Sequence, residues 1–134
     1  REVRDNRLDA EHLAEEVAAI GRGELRAVTG HLDRGLCELL QAACTPPGQA
    51  RAHSLNAADM HLEQARLAFT PSMRPLIDLA DSWRAAVRRT NRTLVEHGKP
   101  QLASDLPCPF TLDALLCGDL TVESLEPSGI SRVM

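Results

Sequence analysis

A regular spacing of apolar residues runs from Leu8 to Cys44 and sets the class of fold. Most of the large apolar side chains recur at steps of three or four, which places them on one face of an α-helix. They are Leu13, Val17, Ile20, Leu25, Val28, Leu32, Leu36 and Leu39. The spacing therefore predicts an all-α protein. One step of five, from Ile20 to Leu25, crosses the tripeptide Gly21-Arg22-Gly23.

The two glycines in this stretch predict an interruption. An unbroken helix from Asp9 to Cys44 would be about 55 Å long at ~1.5 Å per residue, whereas a compact domain of this size has a diameter of about 36 Å. Each glycine also costs roughly 1 kcal/mol relative to alanine in a helix interior. We therefore predict a break or sharp kink at Gly21–Gly23, with helices near 9–20 and 24–44.

Prolines and capping residues divide the rest of the chain. Thr45-Pro46-Pro47-Gly48 ends the second helix because proline cannot continue the hydrogen-bond ladder. A third helix is expected near 50–68 and a fourth from Ser72, its cap, to about His97, with Gly98 at its C-terminal end.

The last part of the chain predicts a loop, a short helix and a tail. A proline-containing loop is expected over 100–110, followed by a short helix, Leu112–Cys117, capped by Thr111. The fold predicted is thus a single-domain bundle of four main helices plus a short C-terminal helix. Its packed core covers about 8–118, and 119–134 form an acidic, irregular tail.

Composition fits one globular domain without a membrane span. The 134 residues are 43% hydrophobic but only 2% aromatic, so the core must be mainly aliphatic. No apolar run approaches the ~20 residues needed to cross a bilayer, and the chain starts without the pattern of a signal peptide. The four cysteines form no C-x-x-C pair. Free thiols in the cytoplasm are the expected state.

Charge is unevenly distributed along the chain. Residues 1–24 carry four basic and seven acidic side chains, and residues 73–99 carry six basic and three acidic. In the second segment, Arg84, Arg88 and Arg92 are spaced by four and predict a basic ridge on a helix. We expect this ridge to be solvated or to pair with glutamates of the first two helices, which are Glu15, Glu16 and Glu24. Nucleic-acid binding through the ridge is an alternative that the net charge of -4 does not favour.

A possible metal site is incomplete. His12, Glu15 and Glu16 share one helix face and could supply half of a metal site. Helical di-metal sites need a second such motif on a facing helix, and His61-x-Glu63 does not supply it because residues two apart diverge on a helix. We therefore predict an exposed polar face and no cofactor. The chain also contains no H-E-x-x-H, G-x-S-x-G or phosphate-binding glycine loop.

Three segments resemble a known family. The run L-D-A-E-H-L-A-E-E-V-A-A-I-G-R-G-E, from Leu8 to Glu24, resembles the hallmark of the bacterial helical family "domain of unknown function twenty-nine". Pro71-Ser72-Met73-Arg74 and Cys108-Pro109-Phe110-Thr111-Leu112 resemble its later P-S-L-R and C-P-Y/W-T-L-E-Q motifs. The resemblance covers about residues 8–120. The chain departs from the family in two ways. Gly23 stands where the family usually has serine, and the aromatic-rich segment that usually precedes the first motif in the family is absent.

The resemblance implies an all-α bundle in a bacterium and no particular activity. The residues that match the family hallmark include Gly21 and a polar cluster that consists of Glu15, Glu16, Arg22 and Glu24. The resemblance therefore implies that any polar site lies at this cluster. Together with the missing catalytic motifs, it leads us to predict a non-enzymatic interaction or assembly protein, either homo-oligomeric or bound to another protein. The alternatives are a metal- or ligand-dependent enzyme built on His12, Glu15 and Glu16, and a nucleic-acid-binding protein that uses the basic ridge.

Overall fold

The chain folds into helices joined by short loops. A computed structural model describes residues 2–117, and describes side chains from residue 21 onward. No strand occurs within these residues, so the predicted all-α class is confirmed. The elements in chain order are α1 (Glu2–Ala43), α2 (Gln49–Ala68), a 3-10 helix (Pro71–Leu76), α3 (Leu79–Glu96) and α4 (Leu112–Cys117).

The predicted break at Gly21–Gly23 is wrong, because α1 is a single helix of 42 residues. Neither glycine has a positive φ. Glycine costs roughly 1 kcal/mol per position, whereas a break would leave several backbone N–H and C=O groups without intrahelical partners on both sides. The glycines are therefore tolerated in a continuous helix, and the segments predicted as 9–20 and 24–44 are one element.

The C-terminal half of α1 forms the centre of the core. Val28, Leu32 and Leu36 are completely buried, and Leu39 nearly so, as their helical spacing predicts. The turn at 44–48 reverses the chain, and α2 returns antiparallel to α1. Arg51 strengthens this reversal by donating from Nε to the carbonyl oxygens of two residues at the end of α1, Ala42 at 3.0 Å and Thr45 at 2.8 Å.

Gly35 of α1 lies directly against Leu62 of α2. A Cβ atom added there would lie 2.7 Å from Leu62 Cδ2 and 2.9 Å from Leu62 Cγ. One turn earlier on α1, the ring of His31 stacks on that of His61 with centroids 6.1 Å apart. The absence of a side chain at Gly35 thus allows the two backbones to approach where Leu62 enters the core.

The fourth predicted helix begins later than expected. Residues 71–76 form a 3-10 helix, Ile77 is extended, and α3 starts at Leu79. The cap is Asp78 rather than Ser72, since its Oδ1 accepts a hydrogen bond from the Asp81 N–H at 3.1 Å. Pro75 accounts for the difference because it lacks an N–H and disfavours the α conformation in the residue before it.

Two side chains of α3 fix the loop that follows it. Trp83 donates from Nε1 to the Leu106 carbonyl at 2.6 Å. Asn91 makes two hydrogen bonds with the backbone of Leu102, donating from Nδ2 to the carbonyl at 3.0 Å and accepting at Oδ1 from the N–H at 2.7 Å. Phe110 packs edge-on against Trp83. The loop is thus irregular but anchored.

Helix α4 closes the described part of the chain. Its predicted cap is confirmed, because Thr111 Oγ1 accepts from the Ala114 N–H at 3.1 Å. Leu115 of α4 is fully buried in the common core. The acidic tail predicted for 119–134 lies outside the described residues. No helix in the part of the chain that the structure describes is long and apolar enough to cross a membrane.

Candidate functional site

The polar cluster predicted near the start of α1 is described only in part. Arg22 and Glu24 are exposed on α1. His12, Glu15 and Glu16 lie in the section for which only the backbone is described, so the cluster and the weak metal site stay predictions. Among the described side chains, no group of three or more histidine, cysteine, aspartate or glutamate residues is arranged to hold a metal ion.

The basic ridge is present on α3 and faces solvent. Arg84, Arg88 and Arg92 are all exposed. Arg84 lies 3.5 Å from Asp81 in an exposed pair, which contributes little to stability. No carboxylate among the described side chains lies within ion-pair distance of Arg88 or Arg92. The predicted pairing with Glu24 is therefore not seen, and pairing with Glu15 or Glu16 lies outside the described side chains.

A cleft of about 200 Å³ lies between the C-terminal ends of α1 and α3. One wall comes from the last turn of α1 and the residues after it, the other from the last two turns of α3 and the residues after that helix. The lining residues are Gln41, Cys44, Thr45, Thr90, Thr93, Leu94, His97 and Lys99. None of them is a carboxylate.

The end of α3 shapes one side of this cleft. Gly98 has a φ of 65°, a left-handed conformation that suits glycine, as its predicted position after the helix requires. The Gly98 N–H donates to the Val95 carbonyl at 3.0 Å, and the Lys99 N–H donates to the Leu94 carbonyl at 2.8 Å. These two bonds form a Schellman motif, which reverses the chain and places Lys99 at the cleft.

His97 presents one ring nitrogen that makes no bond to the helix. Its Nδ1 lies 2.8 Å from the carbonyl oxygen of Thr93. Because a carbonyl oxygen only accepts hydrogen bonds, Nδ1 carries the proton. In the neutral ring Nε2 is then an acceptor, and in the protonated ring it is a second donor. The imidazole can therefore bind a ligand through Nε2.

One residue of the cleft lining, Thr90, has a buried hydroxyl with no partner among the described groups. Thr90 is 3% exposed, and its Oγ1 has no hydrogen-bond partner among the described groups. A buried polar atom without a partner costs roughly 1–3 kcal/mol. The oxygen itself is not accessible from the cleft, so a ligand there does not contact it and the cost is borne within the core.

Cys44, another residue of the cleft lining, is a protonated thiol rather than a nucleophile. The residue is 6% exposed, and burial raises the pKa of its thiol, although the nearby Lys99 opposes this effect. A thiol with a raised pKa is a poor nucleophile at neutral pH. The described groups of this cleft are suited to binding, and they do not include an activated nucleophile paired with a base.

Sequence reasoning missed this cleft because its residues are far apart in the chain. Cys44 belongs to the end of α1, whereas Thr90, His97 and Lys99 come from a helix about fifty residues later. No short motif joins them. Gly98 was recognisable as a helix-terminating glycine, which places Lys99 just beyond the end of α3. The glycine does not indicate that α1 ends at the same level as α3.

The thiols predict a loss of stability at alkaline pH. None of the four cysteines forms a disulfide. Burial raises the pKa of Cys37, Cys44 and Cys108 above the usual value of 9.0. Because the unfolded thiols ionise at lower pH than the folded ones, their contribution is complete below pH 9 and is lost as pH rises through the folded pKa values.

Thermal unfolding between neutral pH and pH 10.5 checks this linkage. A variant with alanine at Cys37, Cys44 and Cys108 should lose less stability on going to alkaline pH than the unchanged protein. Cys117→Ala, at an exposed position, is the matched control and should behave as the unchanged protein does. Parallel alkaline losses in the triple variant and the unchanged protein would show that the three thiols do not contribute.

The helices define an all-α protein built around one long helix, α1. The chain belongs to the family described as "Domain of unknown function DUF29", whose model matches residues 1–120. This confirms the resemblance seen in the sequence. No curated protein and no solved structure is significantly similar to the chain.

Proposed function

We propose that this protein is a non-enzymatic assembly module that associates with a second copy of itself through the N-terminal section of α1. The observation that carries the proposal is the length of α1. At ~1.5 Å per residue its 42 residues extend about 63 Å, whereas the 20 residues of α2 extend about 30 Å and the 18 of α3 about 27 Å.

Both shorter helices pack on the C-terminal half of α1. His61 of α2 stacks on His31. The guanidinium of Arg89 on α3 is close enough to the Cys37 thiol to oppose the rise in its pKa that burial causes. Helix α2 runs antiparallel to α1, and α3 runs parallel to it. Counting residues along each helix from these contacts places the end of α2 and the start of α3 level with about residues 24–27 of α1. The N-terminal section, residues 2–23, extends about 30 Å beyond them.

This section carries its own apolar face. In a continuous helix each residue turns the face by about 100°. The step of five between Ile20 and Leu25 therefore places the positions of Leu13, Val17 and Ile20 roughly a quarter turn from the face that packs on α2 and α3. An apolar helix face gains stability when another surface covers it. The change of face indicates a separate partner for this section.

Charge favours a second copy as that partner. Residues 1–24 are net acidic by three charges and residues 73–99 net basic by three. The backbone at Glu15 lies about 33 Å along α1 from Cys37, which is level with the ridge, so the acidic section of one copy can reach only the ridge of another. In a two-fold dimer each copy supplies both surfaces, and the two contacts form together.

A charge-swap series tests this arrangement by sedimentation equilibrium. Reversing the ridge with Arg88→Glu and Arg92→Glu should weaken association, and so should reversing the acidic section with Glu15→Arg and Glu16→Arg. A chain that carries all four changes restores the complementarity and should associate again. Arg66→Glu, at an exposed arginine of α2, is the control and should leave association unchanged.

The alternatives predict different outcomes of the same experiment. Association that the four-change chain fails to recover would contradict pairing between the section and the ridge. Nucleic-acid binding through the ridge predicts a salt-sensitive shift in the mobility of DNA or RNA, abolished by the Arg88 and Arg92 changes. An enzyme built on His12, Glu15 and Glu16 predicts bound metal by elemental analysis and a thermal shift with divalent ions. Either of these results, with a monomer throughout, would replace the proposal.

A further inference from the structure

We infer that the N-terminal section of α1 from one copy lies in a groove of the other copy, over the face of α1 that is exposed between α2 and α3. The inference rests on the self-association proposed above and identifies the surface that receives the section. It places Glu15 and Glu16 of one copy opposite two arginines of the other, Arg89 and Arg34.

Helices α2 and α3 flank one face of the C-terminal half of α1. His31 and Gly35 of α1 lie against α2, and Cys37 of α1 lies near Arg89 of α3. At about 100° per residue, these two directions are roughly 140° apart around α1. Packed helices are ~8–10 Å apart, so the axes of α2 and α3 are about 17 Å from each other. This spacing leaves room for one more helix over α1.

The floor of the groove consists of Ala27, Gly30 and Arg34, which share one face of α1 at helical spacing. Ala27 and Arg34 are exposed. A Cβ atom added at Gly30 would meet no atom within 4 Å. By the same count of 100° per residue, Arg34 lies about midway between the directions of α2 and α3. Because the first two positions carry almost no side chain, a second helix can come close to the backbone of α1 here.

Two arginines at the groove have no acidic partner among the described side chains. Arg34 of α1 and Arg89 of α3 are both exposed, and no described carboxylate lies within ion-pair distance of either. Asp33 and Glu38 are close enough to influence the neighbouring Cys37 thiol, yet neither pairs with these guanidinium groups. Both arginines are therefore available to the carboxylates of an acidic helix.

The register of the two copies follows from the levels of the charged regions. A two-fold dimer that sets Glu15 level with Cys37 of the other copy also makes the reverse contact, so the two α1 helices run antiparallel and the axis passes near residue 26. Arg34 is then level with about residue 18 of the other copy, ~3 Å along the helix from Glu16. An arginine side chain spans that offset.

The two glutamate positions divide between the two arginines. The position of Glu16 lies on the same face of α1 as Arg34, so in the two-fold arrangement it faces α1 of the other copy. The position of Glu15 is about 100° further round, on the side of the other copy's α3, where Arg89 lies. The apolar positions of the section are on the opposite side, toward α2. They are Leu13, Val17 and Ile20.

Paired charge reversals followed by sedimentation equilibrium test the groove. Arg34→Glu and Arg89→Glu should each weaken self-association roughly tenfold, since each change occurs twice in a two-fold dimer. Glu16→Arg should restore association to Arg34→Glu, and Glu15→Arg should restore it to Arg89→Glu. Arg66→Glu, at an exposed arginine of α2 outside the groove, is the control and should associate as the unchanged protein does.

Disulfide trapping measures the register independently. Ala27 lies near the two-fold axis, so Ala27→Cys in a Cys117→Ala background should form a disulfide with its own counterpart under mild oxidation. Asp59→Cys, at an exposed position of α2, is the matched control and should remain a monomer on a denaturing gel. A dimer that neither arginine reversal weakens, and that Ala27→Cys does not trap, would overturn the groove and leave self-association standing. A monomer at every concentration would instead overturn the self-association itself.

Discussion

Trp83→Ala is expected to lower the free energy of unfolding by about 4 kcal/mol, the largest effect of any single change considered. Trp83 is 1% exposed and is the one tryptophan in the chain. Its ring packs against Phe110, and its Nε1 donates to the Leu106 carbonyl at 2.6 Å. Truncation leaves a cavity in the core and a carbonyl without its donor. Since small domains are stable by only about 5–15 kcal/mol, the variant should unfold at much lower urea concentration.

Trp83→Phe separates the two contributions to this loss. Phenylalanine keeps an aromatic ring in the core but cannot donate to Leu106, so we expect a smaller loss, about 1–2 kcal/mol. Val95→Ala, at an exposed position on the same helix, should change the stability by less than about 0.5 kcal/mol. Urea unfolding followed by circular dichroism measures all three variants. Equal losses for Trp83→Ala and Val95→Ala would contradict the anchoring role of Trp83.

Gly35→Ala and Gly30→Ala should have opposite effects although both place alanine in α1. A Cβ at position 30 meets no atom within 4 Å, so Gly30→Ala should stabilise the protein by up to about 1 kcal/mol through helix propensity. A Cβ at position 35 would lie 2.7 Å from Leu62 Cδ2. Leu62 is buried, so it must adopt a strained rotamer or push α2 away, at a cost of about 1–3 kcal/mol. After the gain in helix propensity is subtracted, we expect a net loss of up to about 2 kcal/mol.

A double-mutant cycle with Leu62→Ala identifies the cause of that loss. Removing the Leu62 side chain removes the clash, so Gly35→Ala should cost less in the Leu62→Ala background, and there the added methyl group fills part of the cavity. Urea unfolding of the four proteins provides the coupling free energy. Additive effects would show that Gly35 is not required by its contact with Leu62.

Local sequence patterns predict a helix or its start correctly where one strong pattern is present and no other pattern competes with it. The burial of Val28, Leu32 and Leu36 follows from their spacing, and the start of α4 follows from the capping hydroxyl of Thr111. The interruption at Gly21 was predicted from compactness, which assumes that every helix fits inside the domain. Helix α1 does not meet that assumption. Continuing its backbone hydrogen bonds past Gly21 costs less free energy than ending the helix there.

Competing signals and distant contacts explain what sequence reasoning did not find. Ser72 and Asp78 both precede apolar positions and both can cap a helix. Pro75 decides between them, since its effect on the backbone exceeds the benefit of the earlier cap. The cleft depends on α1 and α3 ending at the same level. Cys44 and Lys99 therefore meet through tertiary packing, which no spacing within either segment encodes.

Sedimentation equilibrium of the unchanged protein, over a range of protein concentrations at low and high salt, tests self-association most directly. One chain has a mass of 14.6 kDa. We predict that at low salt the apparent mass rises with concentration toward twice that value. We also predict weaker association at high salt, because ions screen the contact between the acidic section and the ridge. A mass of 14.6 kDa at every concentration and both salt levels would contradict the proposal.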